Sequence, residues 1–166
     1  YLRVLRVIIK FAESGASSAP LLLSNSLGQF GWPFLEAISQ QIHQHEIILN
    51  GVLGVQEQLL RSTPELLASQ FGATIQNCVT VFEKSKNAKI LSFFTSAVEA
   101  YGAQESNSFQ LLLTHISNTF FQYISSEKAA HDCTNLVEAY FDMCQRNLLF
   151  CTAAKVICEV LSSIAS

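Results

Sequence analysis

Three short stretches hold residue types that could do chemistry. His43-Gln44-His45 sets two imidazoles one residue apart, so an extended segment could bring both to one metal ion, with Glu46 as the adjacent carboxylate. No cysteine or carboxylate pair at ligand spacing follows, and the stretch reads instead as a solvated turn between helices. His131-Asp132-Cys133 contains a base, an acid and a thiol, the parts of a nucleophilic triad. Consecutive residues at a helix start cannot converge on one point, and Asp132 is better used as the N-cap of the helix that follows. Gly28-Gln29-Phe30-Gly31 has neither a preceding strand nor a Gly-Lys-Ser/Thr, so it breaks a helix and does not cradle a phosphate. No catalytic, cofactor-binding or metal-ligating set is expected, and the protein is not expected to be an enzyme.

The five cysteines, Cys78, Cys133, Cys144, Cys151 and Cys158, are odd in number and include no CxxC pair. Four of them fall in apolar helical stripes, where a free thiol acts as a small hydrophobe. Free thiols imply a reducing compartment, cytoplasm or nucleus. The one basic cluster, Glu83-Lys84-Ser85-Lys86-Asn87-Ala88-Lys89, solvates a turn between helices; an acidic partner is its alternative use. A net charge of -3 with 10 Lys+Arg leaves little for counterion release, which argues against direct nucleic-acid binding. No apolar run reaches the roughly 18 residues of a membrane span, so no membrane insertion is expected. With 49% hydrophobic and 14% charged residues, part of the surface should be uncharged or covered from outside the chain. Because Tyr1 stands in mid-pattern, the chain is expected to be a fragment.

The elements that must position these residues are helices. Apolar spacings of three and four recur along the chain, and period-two alternation is hardly sustained. Thr63-Pro64-Glu65 supplies a cap, a first-turn proline and an acid at the positive helix end, starting a helix with the stripe Leu67, Phe71, Ile75, Cys78, Val79, Phe82. Asn87 to Tyr101 carries Ile90, Phe94, Ala97, Val98 and Tyr101 and stops at Gly102 as a C-terminal cap. Ser106 to Ile124 carries Phe109, Leu113, Ile116, Phe120 and Ile124, and the helix after Asp132 carries Leu136, Val137, Tyr140, Phe141 and Cys144. A last helix carries Val156, Ile157, Val160, Leu161 and Ile164; upstream lie Glu46 to Arg61, a first helix up to about Glu13, and a less regular helical stretch from Pro20 to Gln41.

Starts of alternate helices recur at Glu46, Asn87 and Asp132, and at Pro64, Ser106 and Leu149, steps of about 41 to 45 residues that match HEAT and armadillo helix pairs. The expected fold is all-α: an α-solenoid of four antiparallel pairs over residues 1–166, with approximate repeats 1–43, 46–84, 87–124 and 132–165. A compact up-and-down bundle is the alternative.

Several short motifs then acquire a common source. Trp32-Pro33-Phe34-Leu35, followed by Val55-Gln56-Glu57-Gln58-Leu59-Leu60-Arg61 and later by Glu99-Ala100-Tyr101-Gly102, resembles the importin-β superfamily of nuclear transport receptors, most of all its transportin-SR and importin-thirteen branch, in a middle-to-late part of the solenoid. That branch has Trp-Pro-x-Leu in a second (B) helix, acidic-x-Tyr-Gly at the end of a first (A) helix, then a His-Pro-Asp start to a helix ending near Arg-x-Pro. Here His131-Asp132 lacks the intervening proline, and Leu148 stands where the family proline would lie. The resemblance implies that Pro33 lies within a B helix and bends it. It also implies protein cargo carried under control of the Ran GTPase, nucleoporin contacts through the full-length protein, and shuttling between cytoplasm and nucleus. A HEAT or armadillo scaffold with no Ran dependence is the alternative reading.

A solenoid binds through the long face its helices display. Opposite the apolar stripes lie Ser69, Gln76, Thr80 and Lys84 on one helix and Thr114, Asn118 and Gln122 on the next, and these are the candidate partner contacts.

Overall fold

The computed structural model describes residues 31–62, 68–125 and 131–151. Among them are six α-helices and no strand: α1 (Trp32–Gln41), α2 (Glu46–Ser62), α3 (Phe71–Ser85, preceded by a 3-10 turn at Ala68–Gln70), α4 (Ala88–Tyr101), α5 (Ser106–Tyr123) and α6 (Thr134–Phe150). The chain is all-α over these residues. The expected first helix, the Thr63 cap with Pro64, and the last helix with Cys158 lie outside the described residues.

Helices two apart along the chain pack on each other, and of the neighbours in sequence the pairs α1–α2, α3–α4 and α5–α6 pack, whereas α2 with α3 and α4 with α5 make no extensive contact. One layer runs α2, α4, α6 and the other α1, α3, α5, and α1–α2, α3–α4 and α5–α6 join the two. The α4–α6 and α4–α2 contacts are the most extensive. The reason lies in α4, whose Ile90, Leu91, Phe93, Phe94, Ala97, Val98 and Tyr101 are all buried, together with Thr95 and Ser96. A helix apolar on nearly every side must be walled on every side. The aromatic side chains tie the layers together: Phe71 meets Tyr101 at 4.5 Å between ring centroids and Phe109 at 5.5 Å, while Phe120 stacks on Tyr140 at 4.0 Å.

Trp32 is fully buried, and its indole N–H donates to Glu36 Oε1 and to Thr74 Oγ1, each at 2.9 Å. The Thr74 hydroxyl in turn donates to Glu36 Oε1 at 2.5 Å. Trp32 therefore anchors α1 on α3, while Pro33 beside it is exposed. Pro33 is the second residue of α1, after Gly31, which is itself right-handed helical at φ -72° and ψ -38°; the residues before Gly31, on which the expected bend within a longer helix depends, lie outside the described residues.

The connection between α3 and α4 is two residues long and solves both helix ends at once. Lys86 takes the left-handed conformation, φ 52°, and its N–H closes α3 on Phe82 O at 2.8 Å. Asn87 is extended, and its Oδ1 accepts from the Lys89 N–H at 2.7 Å, capping α4. Two expected caps differ. Asp132 makes no cap hydrogen bond; Cys133 holds the N-cap position of α6, while the Thr134 hydroxyl bonds His131 O at 2.8 Å. Gly102 is right-handed, φ -55°, so no left-handed cap requires its glycine. Close approach does: a Cβ there would lie 2.5 Å from Val98 O and 3.1 Å from both Cβ and O of Phe150, at the end of α6.

Gly72 is the contrasting case, since an added Cβ meets nothing within 4 Å. Gly102→Ala is expected to destabilise the protein by about 1–3 kcal/mol through overpacking, and Gly72→Ala to change stability by less than about 1 kcal/mol. Denaturant unfolding followed by the fluorescence of Trp32, the one tryptophan of the chain, reads both variants; equal effects would contradict the close approach.

Candidate functional site

The stretches that could have done chemistry are kept apart. His43 lies in the turn between α1 and α2, with Nδ1 2.8 Å from Gln40 O, and among the described residues no group of three or more metal-ligating side chains converges. His131 Nδ1 is 3.9 Å from Asp132 Oδ1, both largely exposed, while Cys133 Sγ faces the Tyr123 hydroxyl at 4.0 Å. No hydrogen bond among the described residues joins Cys133 to His131, so base and thiol do not form a dyad. Burial, with the Glu36 carboxylate nearby, pushes the Cys78 thiol far up and keeps it protonated.

Charges that are partly buried work between helices. Glu57 on α2 accepts from Lys89 Nζ at 2.5 Å, Ser96 Oγ at 3.0 Å and Arg61 Nη2 at 2.9 Å, tying α2 to α4. Glu99 on α4 pairs with Arg146 on α6 at 3.1 Å. Lys89 thus belongs to this cluster and is not a free member of the basic run. Burial raises the Glu57 carboxyl, but the Lys89 hydrogen bond and charge, the Ser96 hydroxyl and the Arg61 charge together outweigh it and hold the group below its ordinary value.

The six expected contact residues all lie on the outward side of α3 and α5, adjacent helices of one layer. Gln76, Lys84, Thr114, Asn118 and Gln122 are exposed and Thr80 partly so. The Thr80 and Thr114 hydroxyls turn back to the carbonyls of Gln76 and Gln110 at 3.1 and 2.9 Å, which leaves the amides and Lys84 as the freer groups. The side chain of Ser69 lies outside the described residues. Gln76 lines a groove of about 580 Å³ between the two helices, and Lys84 lines a second, of about 610 Å³, at the turns that also hold His43, Lys86 and Cys133.

The first groove was missed from the sequence. Its floor is Phe71, Ile75, Val79, Phe109 and Leu112, with Gly72 on α3 opening it and Leu111, 74% exposed, on its rim. Its signal was the run Leu111-Leu112-Leu113: three consecutive leucines cannot share one helix face, so one had to point outward. Comparisons with protein-family models, with curated proteins and with solved structures found no match to this chain.

The Glu57 cluster yields a pH dependence. A carboxyl held low in the folded state contributes stability above its unfolded value, near 4.5, and loses that contribution as pH falls through the folded value. Unfolding midpoints are therefore expected to drop as pH falls below about 5, with Glu57→Gln flattening the drop. An equally steep drop in Glu57→Gln would place the dependence elsewhere.

Proposed function

We propose that the chain is a segment of a HEAT-like α-solenoid, a protein-binding receptor of the importin-β kind that carries protein cargo between cytoplasm and nucleus under Ran-GTP control. The observation that carries the array is the packing of alternate helices in two layers, α2–α4–α6 and α1–α3–α5, with short turns between successive helices. Stacked helix pairs bury their apolar faces in this way, each pair against the next. Helices of the first layer begin at Glu46, Ala88 and Thr134, close to the period read from the sequence. A compact bundle has no need to keep that order.

The transport assignment rests on the resemblance of Trp32-Pro33-Phe34-Leu35 and Glu99-Ala100-Tyr101-Gly102. Trp32 and Tyr101 are both buried at helix ends, as residues that hold a repeat together should be. No helix among the described residues is long and apolar enough to cross a membrane, which suits a receptor working in solution. The alternative is a helical-repeat scaffold of a different class with no Ran dependence.

A pull-down with the natural full-length protein separates the two. With Ran loaded with a non-hydrolysable GTP analogue, a transport receptor is expected to lose one set of bound proteins (import) or gain one (export). A partner list unchanged by Ran would remove the transport reading and leave the scaffold.

A further inference from the structure

We propose that the groove between α3 and α5 is a docking site for a cationic amphipathic segment of a partner protein, which inserts apolar side chains over Gly72 and sets lysines or arginines against the acidic rim. The inference deepens the partner-binding reading above and does not depend on Ran. The groove holds about 580 Å³, room for several side chains, and its floor is apolar. Gly72 leaves open space where any other residue would place a Cβ, and its backbone needs no glycine for conformation, since its φ is not positive. Leu111 stands on the opposite wall, 74% exposed, next to the buried Leu112. An apolar anchor entering between them would cover Leu111 and fill the space above Gly72.

Charge selects the occupant. Among the described residues no lysine or arginine lines the groove. At one end the exposed Glu105 carboxylate accepts the Ser108 hydroxyl at 3.0 Å and pairs with no cation among the described residues. At the other end the lining residue His115 holds its Nε2 2.7 Å from Oε1 of Glu83, which stands just outside the lining, and this half-exposed pair bridges α3 and α5. An acidic rim beside an apolar floor complements a helix that carries leucine-like anchors at i, i+4 and i+7 with basic residues flanking them. The neighbouring surface offers Gln76, Thr114 and Asn118 to hydrogen-bond such a segment's polar side and carries one exposed cation, Lys84, past the end of the groove on α3.

The test uses the 166-residue chain and a fluorescein-labelled peptide of about 14 residues with leucines at i, i+4 and i+7 and lysines beside them. Two control peptides replace the lysines by glutamate and the leucines by alanine. Fluorescence anisotropy is expected to show saturable binding of the Leu/Lys peptide, with Gly72→Phe weakening it by about tenfold or more and Glu105→Gln by a few-fold. Both control peptides should bind more weakly than the parent. Trp32 emission and circular dichroism report whether Gly72→Phe keeps the fold; should it not, Leu111→Ser on the exposed rim is the occluding variant's replacement and must weaken binding in its place. No saturable binding, equal binding of the lysine and glutamate peptides, or binding indifferent to the folded groove variants would each overturn the proposal. Peptide binding that persists while Ran leaves the full-length protein's partners unchanged would keep the groove and remove the transport reading.

Discussion

Everything described here depends on α4 being walled on nearly every side. Its residues from Ile90 to Val98 are, apart from Ser92, all buried, including two with hydroxyls, and only the narrow strip of Lys89, Ser92 and Glu99 reaches water. The Thr95 hydroxyl donates to Leu91 O at 3.0 Å, and Ser96 joins the Glu57 cluster, so neither polar group is stranded. Removing either neighbour, α2 or α6, would expose a continuous apolar strip at about 25 cal/mol for each Å². Order along the chain therefore becomes order in space: α2 is laid down before α4, α6 after it, and the layer between them cannot be permuted without opening that strip.

The second layer is fixed differently. Where α2–α4–α6 relies on apolar area with ion pairs at its edges, α1 is held to α3 by hydrogen bonds inside the core, from Trp32 to Thr74, from Thr74 to Glu36 and from Asn77 to Ser39 at 3.4 Å. Buried donors of this kind specify register, because a shift of one residue would strand them. The arrangement carries a cost: Gln56, fully buried on α2, has neither amide atom partnered among the described residues, a burden of about 1–3 kcal/mol. The α3–α5 seam is the loosest of the neighbouring contacts in either layer, and the groove lies there.

Helix positions and apolar stripes were legible because period and punctuation act locally. Asn87 stands at the start of α4, where the spacing began that helix, and Phe109, Ile116 and Phe120 face inward as their spacing requires. Three features were not legible, each decided by residues distant in sequence. Gly102 looked like a left-handed cap but answers to Phe150, whose approach no local rule reports. Trp32 looked like a helix-bending motif, and its partner Thr74 lies 42 residues away. Leu111 and Gly72 define the groove together, and neither is unusual until α3 and α5 are side by side.

The most direct test of the stacked order is an isotope-edited NOESY spectrum of the aromatic and methyl protons. The structure predicts dense cross-peaks from α4 to both α2 and α6, strong peaks between Phe120 and Tyr140 and between Phe71 and Tyr101, and few between α2 and α6 directly. Extensive α2–α6 cross-peaks, with the α4 peaks to one of them missing, would mean a closed bundle and would contradict the repeat array on which the functional proposal stands.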